Sequence, residues 1–382
     1  MENKDIFQMF PESPIISDEV LRALRTIPYG FGDFAEIYKV CRRIDVKNLD
    51  TWYDSWKWMA DRCREQGDAA AAEGHFITAG KRYKNAAAYY RNSEFHLSAT
   101  DERRPPNYEF LTYCFKKGTD YDKEKPEYVK IPYEGSFLYG LFIKAEGTDG
   151  KPAPCAAFVG GLDSLKEEFY MILREGYLNR GISILAVDGP GQGATLRLNG
   201  IVSRFDYEAA GTPIIDYLET RDDVDSDRIA IGGMSTGGYY APRIAAYEPR
   251  YKACICWSAQ YDYGQIWQTR SDDHPLAPFL SWILGTKTVK EAKEKIKDFT
   301  LSPEILKRIE VPVLILHGED DPLIPLDVAK RLKKDLINSP DANLTILDET
   351  TGGVLHCGDD SAQIIVDTSG DWLVDVFGLP KK

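Results

Sequence analysis

The residues most able to do covalent chemistry sit in Gly233–Met234–Ser235–Thr236–Gly237, at the end of the apolar run Ile229–Ala230–Ile231–Gly232. A serine hydroxyl is a poor nucleophile at neutral pH. It needs a general base within hydrogen-bond reach, and that base needs an orienting acid. A strand that ends in Gly-x-Ser-x-Gly and runs straight into a helix would hold Ser235 on a tight turn with its hydroxyl exposed. The base candidate is His356, in Gly352–Gly353–Val354–Leu355–His356–Cys357. Of the five histidines, His75 and His96 lie in a helical region, His274 in an insertion and His317 at the start of the acidic loop. Only His356 follows the last expected strand in a glycine-containing loop. The acid comes from His317–Gly318–Glu319–Asp320–Asp321–Pro322, where a buried strand runs into three carboxylates. Asp321 is the preferred member, although chemistry alone does not separate Glu319, Asp320 and Asp321; Asp262 is a weaker rival. The order Ser235, Asp321, His356 suits a strand–helix architecture.

Acyl transfer also needs donors for a developing oxyanion. One is expected at the backbone N–H of Thr236. The other is expected from Val159–Gly160–Gly161–Leu162–Asp163–Ser164, with Gly161 or Leu162 supplying the N–H. Tyr261, Tyr263 and Trp267 fall just beyond a further strand, beside the expected site, and are candidates for substrate contact together with Asp163. Asp188–Gly189–Pro190–Gly191–Gln192–Gly193 follows a strand, but matches neither a P-loop nor a dinucleotide fingerprint. It reads as a structural turn bordering the site. No metal-ligand cluster and no cofactor motif is evident.

The elements that must position these groups alternate. Short apolar runs at 155–159, 182–187, 229–234, 253–257, 313–316 and 344–347 are separated by helical stretches, which implies a mostly parallel twisted sheet with helices on both faces. Active sites of such sheets lie at the carboxyl ends of the strands. A hairpin at 128–143, around Glu134–Gly135, precedes them. Residues 1–120 look helical throughout and form one domain; 121–382 form the second. In the first, Asp33–Phe34–Ala35–Glu36 has capping-box form. Asp50 is placed to cap a helix that Gly67 ends, and Phe76, Ala79, Tyr83, Ala86 and Tyr90 recur on one helical face. Arg103–Arg104–Pro105–Pro106 breaks the helical pattern, with a last helix over 108–117. The insertion at 264–310 reads as a lid, with a peripheral helical pair as the alternative.

The chain of 382 residues carries 47 basic and 60 acidic side chains, a net charge of −13. An acidic surface without a dense Lys/Arg block argues against nucleic acid and anionic membranes as partners. No apolar run approaches a membrane span. Met1–Glu2–Asn3–Lys4–Asp5 has no signal-peptide pattern. The seven cysteines are scattered, odd in number and without a Cys-x-x-Cys pair, which fits reduced thiols and a cytoplasmic location.

With these residues in hand, the chain resembles the α/β-hydrolase fold over about residues 125–380. The resemblance rests on Gly233-x-Ser235-x-Gly237, Asp188–Gly–Pro–Gly–Gln–Gly193, His317–Gly318-x-x-Asp321 and His356. It implies that Asp321 is the acid. The helical N-terminal region and Gly160–Gly–Leu–Asp–Ser-x-Lys–Glu167 are similar to one subgroup. That subgroup includes esterase-like fermentation–respiration switch proteins, 2,6-dihydroxypseudooxynicotine hydrolase and fungal polyketide-shortening hydrolases. This resemblance implies a helical cap, a homodimer, no cofactor and a small-molecule substrate cleaved at a C–C bond beside a ketone or at an ester. Other acyl transfer and a non-catalytic binding role are the alternatives.

Overall fold

The computed structural model describes residues 8–145 and 150–381, so the Met1–Asp5 stretch read for a targeting signal lies outside the described residues. The chain divides into two compact units, Met1–Lys125 and Pro126–Lys382.

The first unit is helical: α1 (Pro14–Leu24), α2 (Phe34–Cys41), α3 (Asp50–Ala72), α4 (Phe76–Ser93) and α5 (Arg104–Thr119). Asp33 caps α2, its Oδ1 accepting the Glu36 N–H at 3.0 Å. Three expectations need correction. Asp50 is the first helical residue rather than a cap, and α3 runs through Gly67 to Ala72. Gly67 is there for packing: a Cβ would meet the Tyr83 ring at 3.0 Å. Pro105 and Pro106 do not break a helix but start α5, where a missing N–H costs nothing. Trp52, Trp56, Tyr83, Tyr89 and Tyr90 are buried, whereas Phe76 is exposed. The tyrosine hydroxyls reach carboxylates on neighbouring helices: Tyr83 to Asp68 at 2.7 Å, Tyr89 to Glu36 at 2.8 Å and Tyr90 to Asp61 at 2.5 Å. These tyrosines therefore bury area and satisfy their hydroxyls within this unit.

The second unit is an eight-stranded sheet. Its elements are β1 (Glu127–Tyr133), β2 (Ser136–Ile143), β3 (Ala153–Val159), α6 (Lys166–Leu178), β4 (Ser183–Asp188), α7 (Gly193–Asn199), α8 (Glu208–Glu219), β5 (Val224–Met234), α9 (Gly237–Tyr247) and β6 (Ala253–Trp257). Then come α10 (Tyr263–Thr269), α11 (Ala277–Leu284), α12 (Val289–Ile296), α13 (Pro303–Leu306), β7 (Val313–Gly318), α14 (Leu326–Asp335), β8 (Ala342–Leu347) and α15 (Ala362–Val376). The strand order is β1-β2-β4-β3-β5-β6-β7-β8. β1 and β2 pair antiparallel, β2 joins β4 antiparallel, and every later pairing is parallel. Every residue of β3, β4, β6 and β7 is buried, as a sheet covered on both faces demands. β5, which ends just before Ser235, is central, with β3 and β6 beside it. The 264–310 stretch packs Trp267, Leu280, Ile283, Ala292, Ile296 and Leu306 into the core continuous with the sheet.

Candidate active site

Ser235 leaves the end of β5 with φ +59°, a left-handed conformation that a serine adopts only when its surroundings force it. Its own N–H donates to Trp257 O at 2.9 Å, tying the turn to the end of β6. The close approach explains the glycine that follows: a methyl on Gly237 would lie 2.5 Å from Val159 O. Within 231–240 only Ser235 is not buried.

His356 and Asp321 meet it. His356 Nε2 is 2.9 Å from Ser235 Oγ, and Nδ1 is 2.8 Å from Asp321 Oδ2. The structure thus separates the three acids: Glu319 is exposed, Asp320 is half-buried, and Asp321 is buried and on the imidazole. The rival Asp262 instead caps α10, accepting the Gln265 N–H at 2.9 Å. The other oxygen of Asp321 accepts the Leu323 and Ile324 N–H groups, each at 2.9 Å. With those bonds fixed, the carboxylate has one direction left, toward His356. An Nδ1–H donating to Asp321 leaves Nε2 as the acceptor for the Ser235 proton.

Charge follows geometry. Burial alone would lower the basicity of His356, but the adjacent Asp321 carboxylate, with Cys357 adding to it, holds the imidazole well above its ordinary value. Burial would raise Asp321, and the His356 charge and hydrogen bond outweigh it and bring the carboxyl below its usual range. Both partners favour the ion pair.

Sequence reasoning passed over the residues that hold the loops. Asp360 gathers the N–H groups of Gly353, Val354 and Leu355 at 2.8, 3.2 and 3.0 Å, which fixes the loop that carries His356. Three successive amides converging on one point need an anion, so the Gly352–Gly353 turn was the available signal. Ser258 Oγ accepts the Cys357 N–H at 2.9 Å and holds the same loop from the other side. Gln192, read as part of a plain turn, grips the Gly160 backbone. Its Nε2 donates to Gly160 O at 2.5 Å, while its Oε1 accepts from Gly189 N at 3.1 Å and from the Tyr207 hydroxyl at 3.2 Å.

The two expected oxyanion loops are adjacent. The Gly161 N–H is spent on Ser164 Oγ at 2.8 Å, which removes Gly161 as a donor. Among the described residues the Leu162 and Thr236 N–H groups have no protein acceptor. Thr236 Oγ1 donates to the Tyr263 hydroxyl at 2.9 Å, so Tyr263 braces the nucleophile turn. Trp267 is fully buried, edge-on to Tyr263 with ring centroids 6.3 Å apart. Tyr261 points elsewhere, its hydroxyl donating to Asp335 at 2.7 Å. These placements give Tyr261 and Trp267 supporting roles rather than free surface. Asp163 is half-buried in the Gly160–Ser164 loop. No group of three or more His, Cys, Asp or Glu among the described residues could hold a metal. No helix among them is long and apolar enough to cross a membrane.

The prolyl oligopeptidase family matches residues 211–378. The α/β hydrolase xenA of Xenoacremonium sinensis is 32% identical over 289 residues, 72% of this chain and 67% of its own length. The chain belongs to the α/β-hydrolase family. The 20-hydroxy-prefusarin hydrolase FUS2 of Gibberella moniliformis is 28% identical and aligned over 97% of this chain and 98% of its own. The crystal structure of 2,6-dihydroxy-pseudo-oxynicotine hydrolase superposes with a TM-score of 0.78 at 25% identity, covering 92% of this chain and 95% of that one. Two of the expected kinds of relative, the pseudo-oxynicotine hydrolase and fungal hydrolases, are thereby found, and the chain is a hydrolase of the α/β fold.

Proposed function

We propose that this α/β hydrolase cleaves an acyl bond through Ser235, His356 and Asp321, and that the bond is a C–C bond beside a ketone in an aromatic or polyketide-like substrate. The observation that carries the reading is the continuous Ser235–His356–Asp321 hydrogen-bond chain on a strained turn. Ser235 Oγ attacks the carbonyl carbon as His356 Nε2 takes its proton. The carbonyl π pair moves to oxygen, where the Leu162 and Thr236 N–H groups receive the negative charge. Collapse reforms C=O and breaks the bond to the α-carbon. That carbon leaves as an enolate or electron-rich ring, and His356 returns the proton to it. Water, giving its proton to His356, then adds to the acyl carbon, the bond to Ser235 Oγ breaks, and His356 returns the proton to Oγ as the acid leaves. Attack by water activated directly at His356 gives the same products.

An ester would follow the same path with an easier leaving group, so the triad is compatible with both. The C–C reading is supported by the names of two long-range relatives, the prefusarin and pseudo-oxynicotine hydrolases. Incubation with an aryl β-diketone and with an aryl ester of matched size tests it. One acid and one methyl ketone per diketone consumed is the expected outcome. Turnover of the ester with an inert diketone would move the assignment to carboxylesterase.

A further inference from the structure

The second unit contains a cleft of about 610 Å³ that none of Ser235, Asp321 and His356 lines. Its floor is the acid loop, with Leu323 and Pro325; its sides are α10 with Arg270, the His274 turn, and α14 with Arg331. The volume falls in the range that takes a small organic ligand.

Arg270 is the anomaly in this cleft. Its guanidinium is half-buried, 4.6 Å above the Trp267 ring, with Nη2 donating to Leu323 O at 3.0 Å. It forms no ion pair among the described residues. A desolvated cation without a carboxylate is costly and is uncommon unless something else supplies the charge. The cost registers on the group itself: burial pulls its basicity below the ordinary arginine value, and the nearby Tyr263 and Asp321 only partly oppose that. Remaining N–H donors of a planar fork suit a two-oxygen anion.

The neighbours fit the same ligand. His274 Nδ1 accepts the Leu276 N–H at 3.2 Å, which leaves the neutral ring with its proton on Nε2 as a second donor. Burial and the Arg270 charge lower the basicity of that ring. Arg331 lies with its guanidinium 3.9 Å from the Tyr261 ring, and it too forms no ion pair among the described residues. The two acids on the rim are already engaged. Asp262 caps α10 through the Gln265 N–H, and Asp327 pairs with Lys330 at 3.2 Å. Apolar surface from Ile266, Pro322 and Val328 completes the lining.

We infer that this cleft is a binding site for an amphipathic monocarboxylate, with the carboxylate on the Arg270 guanidinium and an aryl or alkyl body against the acid loop. Acids of this class are what acyl hydrolysis releases, but occupancy of the cleft does not depend on the Ser235 chemistry.

Calorimetric titration of the full chain with 1-naphthoate, and with 1-naphthylmethanol as its neutral counterpart, tests the assignment. Wild type is expected to bind the carboxylate about tenfold more tightly than the alcohol, the scale of one charge-assisted bidentate contact. Arg270→Gln should abolish that preference while alcohol binding persists, and Arg331→Gln should weaken it less. Ser235→Ala, and wild type already labelled by a fluorophosphonate, should bind naphthoate unchanged. Loss of binding in either would place the acid at the triad and overturn the assignment. Equal affinity for acid and alcohol in wild type would overturn it without any variant, which covers the case in which Arg270→Gln does not fold.

Discussion

Two buried clusters in the sheet unit each hold an aspartate at or just beyond the end of a parallel strand and end up chemically opposite. In one, Lys166 Nζ lies 2.7 Å from Glu167 and 3.0 Å from Asp188. Asp188 also accepts the Lys166 N–H at 2.7 Å and the Ala194 N–H at 2.8 Å. Every strong valence of Asp188 is spent on backbone or on Lys166, so the cluster staples α6 and α7 to the end of β4. In the other, Asp321 spends one oxygen on backbone and the second on His356, which hands its free nitrogen to a half-buried Ser235. Buried charge by itself does not mark an active site. What marks it is a valence left over, pointed at a group that can react.

The largest effect expected from breaking the contrast is on the triad. Ser235→Ala should lower kcat by about 10⁴-fold or more with an unchanged thermal midpoint, measured by steady-state kinetics and calorimetry. Asp321→Asn should cost about 10³–10⁴-fold, because the wrong imidazole tautomer is then favoured. In the closed cluster the effect should appear in stability instead. Lys166→Met leaves Asp188 and Glu167 buried without their cation and should cost about 3–5 kcal/mol in denaturant unfolding. Glu167→Gln should be milder, within about 1 kcal/mol, because burial already pushes that carboxyl up against the opposing pull of Lys166.

The pH dependence sharpens the same comparison. His356 has a raised folded value, so its pairing with Asp321 stabilises the fold fully below about pH 6.5 and loses that contribution as pH rises through the folded value. Catalysis needs the neutral ring and should run the other way. The rise in kcat/KM should begin above pH 6.5 and coincide with a decline in thermal midpoint, and Asp321→Asn should uncouple the two curves.

Much of this was legible in residue types. The Gly233–Gly237 motif, the apolar runs of the parallel strands and the late His356 pointed to the sheet and to the candidate groups that it brings together, because a covered parallel strand has to be apolar and a strained turn has to be flanked by glycine. Local rules failed where tertiary packing overrode them. Gly67 looked like a helix stop but accommodates Tyr83, and Pro105–Pro106 looked like a break but opens α5. The C-terminal α15 and the short α7 carried no signal strong enough to separate them from loop. Gln192 was hidden for another reason. It acts on backbone amides and carbonyls brought close only by the fold, and no spacing in the chain reports that, whereas the Gly352–Gly353 turn left a faint signal for Asp360.

The most direct test of the activated nucleophile is intact mass after fluorophosphonate treatment of wild type and Ser235→Ala. One adduct per wild-type chain, absent from the variant and slower to form in Asp321→Asn, is the expected result. Folded wild type that takes no adduct, or Ser235→Ala that takes one equally well, would contradict the assignment of Ser235 as the nucleophile.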